Sequence, residues 1–211
     1  MYSYSDLHKD CIKKIHYNSI KNNLYSCGLD SKIYIYPIDN NIKYNIEVNN
    51  DNLYTTFNDT SIYTITTNIT GNLIFAGLYQ NDIKVLDTIS NKEVMTLDRQ
   101  SGISLDLKMT NVDNLLLSCS SDSIVMFDLR YCNKILKNWT LKGNITGFDV
   151  TNSFNNFFSS DSFGNIFLTN ILSDNFTEID NINQPIKNIY LNSTNEYLFA
   201  NSENKLIKYV R

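Results

Sequence analysis

Apolar and polar residues alternate with a period of two along most of this chain, in short runs separated by small polar clusters. No segment carries the sustained stripe of an amphipathic helix. The layout is fullest between residues 103 and 141. There ISLDLKMT (103–110), NLLLSCS (114–120), SIVMFD (123–128) and ILKNWTL (135–141) each read as a strand, with a tight turn at Asp122 joining the second to the third. Four such strands on short connections predict one antiparallel sheet.

The same turn-plus-strand layout recurs in SCGLDSKIYIYPID (26–39), AGLYQNDIKVLD (76–87), SCSSDSIVMFD (118–128), SSDSFGNIFLTN (159–170) and ANSENKLIKYVR (200–211). Aligned on Asp30, Asn81, Asp122, Gly164 and Asn204, the units are spaced by 51, 41, 42 and 40 residues. A period of about forty to forty-five residues is that of a four-stranded propeller blade. The longer first interval places an exposed insertion at NNDNLYTTFNDT (49–60). The units then span roughly 8–48, 61–97, 103–141, 145–179 and 186–211. A lone blade cannot bury both faces of its sheet, so the units are expected to stack as a single domain over 1–211. The last unit stops after its third strand, while YSYSDL (2–7) alternates like an orphan strand. Residues 2–7 are therefore expected to complete the fifth blade and remove an open edge. The fold expected is all-β, a propeller of about five four-stranded blades.

These units resemble WD40 repeats. In that family a Gly-His loop opens each blade, Trp-Asp ends its third strand, and a hydrogen-bonded set links the His, a strand Ser or Thr, a turn Asp and the Trp. The resemblance implies a blade-locking role for His8, Ser26, Asp30 and Tyr36 in the first unit, and for Ser118, Asp122 and Phe127 in the third. Elsewhere the pattern is eroded: the Trp position holds Leu86, Thr169 and Tyr209, and the acid is replaced by Gln80 and Phe163. Each lost link removes roughly 0.5 to 1.5 kcal/mol, so a looser array than the family norm is expected. FDLR (127–130) resembles the WDxR signature by which some members dock on a cullin-ligase adaptor. It marks Asp128 and Arg130 as candidate protein-binding residues, with Arg99, which holds the His position of the third unit, as another. QNDIKVLD (80–87), NKEVMTL (91–97), LKGN (141–144) and ENKLIKYVR (203–211) are most similar to the branch of the family found in the U5 small nuclear ribonucleoprotein. That resemblance implies a splicing scaffold in the nucleus, with a Prp8-like protein as partner and RNA touched only through the complex.

Charge agrees with a protein partner. Eighteen Lys and Arg face 22 Asp and Glu, for a net charge of −4, and the basic residues are scattered rather than gathered in a stripe. An autonomous nucleic-acid or membrane-surface binder is not expected. The N-terminal MYSYSDLHKD is polar and the four cysteines show no CxxC spacing, which points to free thiols in a reducing, intracellular setting. Only 7 Gly and 2 Pro serve many turns, so Asn, which tolerates the left-handed region, is expected to fill turn positions usually held by Gly.

Catalytic signatures are missing. No phosphate-binding glycine loop and no nucleophile elbow occur. His8 and His16, the two histidines, have no ligand-spaced partners. Cys27 and Cys119 occupy matching strand positions and read as core, the recurring acids Asp30, Asp122 and Glu203 as turn caps. Trp139 has aromatic neighbours that suit base stacking but no clustered cations beside it. The reading is a non-catalytic protein–protein interaction scaffold with no catalytic residue, no cofactor, no metal, no small-molecule substrate and no membrane partner. The alternatives are a substrate receptor of a cullin-type ubiquitin ligase or a generic scaffold of another complex.

Overall fold

A computed structural model describes residues 8–38, 53–57, 60–98, 102–110, 114–131, 134–151, 155–173 and 176–210. All regular structure among them is β, in nineteen strands and five antiparallel sheets. The first sheet holds β1 (Ile12–Asn18), β2 (Asn23–Gly28), β3 (Lys32–Pro37) and β4 (Leu53–Thr56). The second holds β5 (Ile62–Thr67), β6 (Leu73–Leu78), β7 (Asp82–Asp87) and β8 (Lys92–Asp98). The third holds β9 (Asp106–Met109), β10 (Leu115–Cys119), β11 (Ser123–Asp128) and β12 (Ile135–Thr140). The fourth holds β13 (Ile145–Val150), β14 (Asn156–Asp161), β15 (Asn165–Asn170) and β16 (Phe176–Asn181). The fifth, three-stranded among the described residues, holds β17 (Ile186–Leu191), β18 (Tyr197–Ser202) and β19 (Leu206–Val210). Every sheet is a meander in sequence order. The architecture is that of a β-propeller.

The chain divides into two compact units, Met1–Leu107 and Lys108–Arg211. In the first unit, Tyr25, Cys27 and Ile33 of the first sheet pack on Ile62, Ile65, Ile74, Ala76 and Leu86 of the second. In the second unit, Leu117, Cys119, Ile124, Met126 and Trp139 pack on Ile145, Phe148 and Phe157 of the fourth sheet. A further core joins Ile166 to Ile186, Ile189, Leu198 and Ala200 of the fifth. Sheet-on-sheet burial is thus what a single four-stranded blade lacks and its neighbour supplies.

Strand register makes the repeats strictly comparable. Tyr36, Leu86, Phe127, Thr169 and Tyr209 each stand opposite an apolar residue of the preceding strand, namely Leu24, Ile74, Leu116, Phe157 and Leu198. Two residues further along that strand come Ser26, Ala76, Ser118, Ser159 and Ala200, all small and all buried. Only a small side chain fits there between packed sheets.

Two expectations from the pattern are corrected. The expected insertion at 49–60 contains β4, which pairs Lys32 with Thr56 and Tyr34 with Leu53. Its Tyr54, together with Phe57, packs against the core of the first unit. The alternation in LYTT is that of an outer strand, and the extra length lies before it, at 39–52, outside the described residues. The second correction concerns Asp30 and Asp122, which do not share a turn position. The turns after β2, β6 and β14 each carry a residue with positive φ, Ser31 (64°), Asn81 (71°) and Gly164 (92°). Those after β10 and β18 are one residue shorter, closed by Ser120 N–H to Ser123 C=O at 2.8 Å and Ser202 N–H to Lys205 C=O at 2.9 Å. Residues 2–7, expected to complete the fifth blade, lie outside the described residues.

Asn does take the left-handed positions. Among the described residues the non-glycine positive-φ set is Asn22, Asn81, Asn91, Asn183 and Asn195 with Ser31. Gly71 and Asn195 hold the same place in two hairpins, each donating its N–H to a C=O three residues earlier, Asn68 and Asn192, at 3.0 Å. Asn68 and Asn192, each the residue just after the first strand of its sheet, then accept the N–H of Leu73 and Tyr197 at 2.9 Å through Oδ1.

Candidate functional site

In the first sheet the turn after β2 and the residues before β1 converge. His8 Nδ1 lies 2.9 Å from Asp30 Oδ1 and Nε2 lies 2.8 Å from Ser26 Oγ, which stands 3.3 Å from the Tyr36 hydroxyl. Asp30 also accepts the N–H of Lys9 at 3.1 Å and of Lys32 at 3.3 Å. Tyr34 meets the His8 ring edge-on at 4.8 Å. The arrangement can exist because Gly28 has no side chain: a Cβ there would lie 2.8 Å from Cys11 O and 3.0 Å from His8 Nδ1. The imidazole is sandwiched and occupied at both nitrogens, an arrangement suited to holding two strands together.

The third sheet keeps the residue types and uses them differently. Asp122 Oδ1 accepts the hydroxyls of Ser120 and Ser123, 2.5 and 3.2 Å away, inside its own two-residue turn. Ser118 and Phe127 are fully buried. In the fourth sheet the register positions of Ser26 and Tyr36 hold Ser159 and Thr169, buried, with neither hydroxyl partnered among the described residues. Its turn is fastened by Asp161 instead, which accepts the N–H of Phe163 and Asn165 at 2.9 Å and the Asn165 amide at 2.8 Å. Pattern reading missed Asp161 because it sits on the last position of β14, two residues before the place where the acid was sought. Glu203, read as a turn cap, faces solvent and pairs with Lys187 at 3.6 Å.

The surface feature with binding chemistry is at the end of β11. Asp87, Asp128 and Asn170 occupy equivalent positions, and each Oδ1 accepts the N–H two residues on: Ile89 at 2.7 Å, Arg130 at 3.0 Å and Leu172 at 2.9 Å. This Asx turn pushes the residue at that second place outward, and Ile89 and Leu172 are 75% and 78% exposed. In the third sheet that place holds Arg130, whose Nε donates to Asp128 Oδ1 at 2.9 Å and whose Nη2 donates to Oδ2 at 2.6 Å. The guanidinium stands 5.7 Å from the centre of the Tyr131 ring. Asp128 is buried while the Arg130 side chain is 61% exposed. Hydrogen bonding by Arg130 holds the Asp128 carboxyl below the usual carboxylate range, and the same pair holds the guanidinium pKa up. The result is a cation and an aromatic ring on the surface, fixed before any partner arrives.

Arg99, the third protein-binding candidate, lies outside the described residues. Trp139 is buried edge-on against Phe157 at 5.1 Å and offers no free face for a base. Cys27 and Cys119 are buried, and burial pushes the Cys27 thiol up to about 12. His16 is half-buried and 2.9 Å from Thr67 Oγ1. First-strand ion pairs escaped the pattern: Lys14–Asp106 at 2.9 Å in one unit, Lys108–Asp149 at 3.1 Å in the other. Charged residues at alternate positions of first strands were their signal. Among the described residues no three His, Cys, Asp or Glu cluster as metal ligands would, and no helix is long and apolar enough to cross a membrane.

Fold and surface together define a β-propeller whose blades share register but not chemistry, consistent with the WD40 type. No protein-family model and no curated protein matches the chain.

Proposed function

We propose that this chain is a non-catalytic protein-interaction scaffold. The observation that carries the reading is the Arg130–Tyr131 pair: an exposed guanidinium anchored bidentately to a buried carboxylate, beside an exposed ring. Arg and Tyr dominate interface hot spots, and fixing them beforehand lowers the entropy cost of binding. Exposed Leu172, on the equivalent turn of the fourth sheet, adds apolar area of the same kind.

Within that reading, the sequence likeness to the forty-kilodalton WD-repeat protein of the U5 small nuclear ribonucleoprotein supports a role in pre-mRNA splicing. The partner would be a Prp8-like protein, the compartment the nucleus, and RNA would be reached only through the complex. A second reading is favoured by the presentation of Arg130 itself: a substrate receptor on a cullin-type ligase, with Arg130 contacting the adaptor. Affinity purification at moderate salt, with protein and RNA identified, separates them. A Prp8-like protein with U5 RNA supports the first. A cullin adaptor that is lost on Arg130→Ala supports the second, and a binder indifferent to Arg130→Ala removes the site from the account.

A further inference from the structure

In the first unit a cavity of about 270 Å³ opens between the first and second sheets, at the end where β1 turns into β2 and β5 into β6. Its apolar lining is Tyr25, Ile35 and Tyr54, all packed in the core that those sheets share. Hydrogen bonds fix its walls. The Tyr54 hydroxyl donates to Asp87 C=O at 2.9 Å, and Thr88 Oγ1 donates to Gly71 C=O at 3.2 Å. Buried Asn18 staples the two hairpins: its Nδ2 donates to Thr67 Oγ1, Asn68 C=O and Ile69 C=O at 2.9, 3.0 and 3.1 Å, while its Oδ1 accepts the N–H of Lys21 at 2.9 Å. Lys21 is thereby held against Gly71, where a Cβ would lie 2.5 Å from Lys21 Cγ. The missing side chain leaves the track along which the lysine stem runs.

We propose that this cavity binds a small ring-bearing carboxylate, its ring against Tyr25 and Tyr54 and its charge on Lys21. Of the residues lining the cavity only Lys21 is charged, and its ammonium has no carboxylate partner among the described residues. The Asn91 amide, at the same cavity, has no partner among them either and supplies a further donor. Asp87 does not compete for the ammonium, because its Oδ1 accepts the N–H of Ile89 and Ser90 at 2.7 and 3.0 Å. Burial holds the phenols of Tyr25 and Tyr54 above their ordinary range, so both rings stay neutral. Size selects the ring. A void of about 150 Å³ already admits benzene, and the larger volume here leaves room for a carboxylate beside it. An apolar hollow with a few fixed polar groups at its edge is the usual form of a small-molecule site. The cavity lies in the first unit, whereas Arg130 and Tyr131 lie in the second, so it adds a ligand site to the scaffold rather than restating its protein-binding surface.

The test is isothermal titration calorimetry of the full chain at low salt with three probes: benzoate, benzamide and inorganic phosphate. Benzoate should bind with a submillimolar Kd. Benzamide keeps the ring without the charge and phosphate keeps the charge without the ring, so each should bind at least about tenfold more weakly. Lys21→Met keeps the stem and removes the ammonium at an exposed position. It should weaken benzoate about tenfold and leave benzamide unchanged, and Arg130→Ala should alter neither. Equal affinity for benzoate and benzamide, or benzoate binding indifferent to Lys21→Met, overturns the proposal by removing the cation from it. Phosphate binding as tight as benzoate overturns it by removing the ring. Absence of heat at tens of millimolar benzoate overturns it outright. Binding that appears only when residues 40–51 are replaced by a short Gly-Ser link overturns it in favour of the chain's own segment as the occupant.

Discussion

The first and fourth sheets hold equivalent positions and treat them in opposite ways. In the first, Ser26 and Tyr36 belong to a set tied through His8 to Asp30. In the fourth, Ser159 and Thr169 stand at the same register, equally buried, with no partner for either hydroxyl among the described residues. An unmade buried hydrogen bond costs about 1 to 3 kcal/mol, so the fourth sheet carries a cost the first avoids. What offsets it is apolar contact: Phe148 and Phe157 are buried there against Trp139 of the third sheet. Polar links and sheet-on-sheet packing are thus exchangeable supports in a repeat array. They break differently, however, because one depends on geometry and the other on area.

The largest expected effect is on the linked side. His8→Ala removes contacts to both Asp30 and Ser26 and leaves a largely buried carboxylate with only the Lys9 and Lys32 N–H groups and the Ser26 hydroxyl with only that of Tyr36. The loss expected is about 3 kcal/mol, a fall in Tm of roughly 10 °C for a chain of this size. A melt within two degrees or so of the parent would show that the set contributes nothing and that packing alone supports both sheets.

Next comes the neighbouring position on β2. Cys27 is the register equivalent of Ser160, and its thiol is held neutral by burial, with its pKa pushed up to about 12. In the unfolded chain the same thiol ionises near 8.5. The folded value is the raised one, so this contribution is fully present below the unfolded value and is lost as pH rises toward about 12. The slope is roughly 1.4 kcal/mol per pH unit within that window. Urea unfolding of the parent and of Cys27→Ala between pH 8 and 10.5 should converge, since the variant lacks the titration; parallel curves would refute the assignment.

On the orphaned side the sign reverses. Thr169→Val keeps the shape and deletes the unpartnered hydroxyl, so it should stabilise by about 1 kcal/mol. The urea midpoint should rise with an unchanged slope. A fall would mean that the hydroxyl has a partner in solution and that the two sheets are more alike than their registers suggest.

Much of the fold is legible in the sequence because period-two alternation and the recurrence of small residues at 26, 76, 118, 159 and 200 are consequences of sheet stacking. The strands of the third unit fall within the segments that alternation marks out. What escaped has physical causes. Turn length shifts by one residue between sheets, and nothing in the pattern separates a three-residue turn around Asp30 from a two-residue one at Asp122. β4 was hidden because LYTT is short and framed by polar residues. The Asp128–Arg130 clamp was approached through FDLR, yet its rigidity rests on an Asx turn that is visible only once the backbone is placed.

The smallest effect concerns the turn itself. Ser31 and Gly164 hold the same turn position, at φ of 64° and 92°. Glycine reaches this region without strain, whereas an L-residue pays roughly 1 to 2 kcal/mol. Ser31 keeps its place because its neighbours hold it: its N–H reaches Gly28 C=O at 3.3 Å and its C=O accepts the Phe57 N–H at 2.9 Å. Both are backbone bonds, so Ser31→Gly preserves them and relieves the strain. The added freedom of glycine in the unfolded chain takes back part of that gain, leaving a net stabilisation of about 0.5 kcal/mol. A small rise in the urea midpoint is the expected result. Made in the His8→Ala background, the gain should shrink, because the Lys32 N–H of the turn and the imidazole share Asp30 Oδ1 and the two sites are coupled; an unchanged gain would show that the turn, not the His8 set, fixes the left-handed geometry.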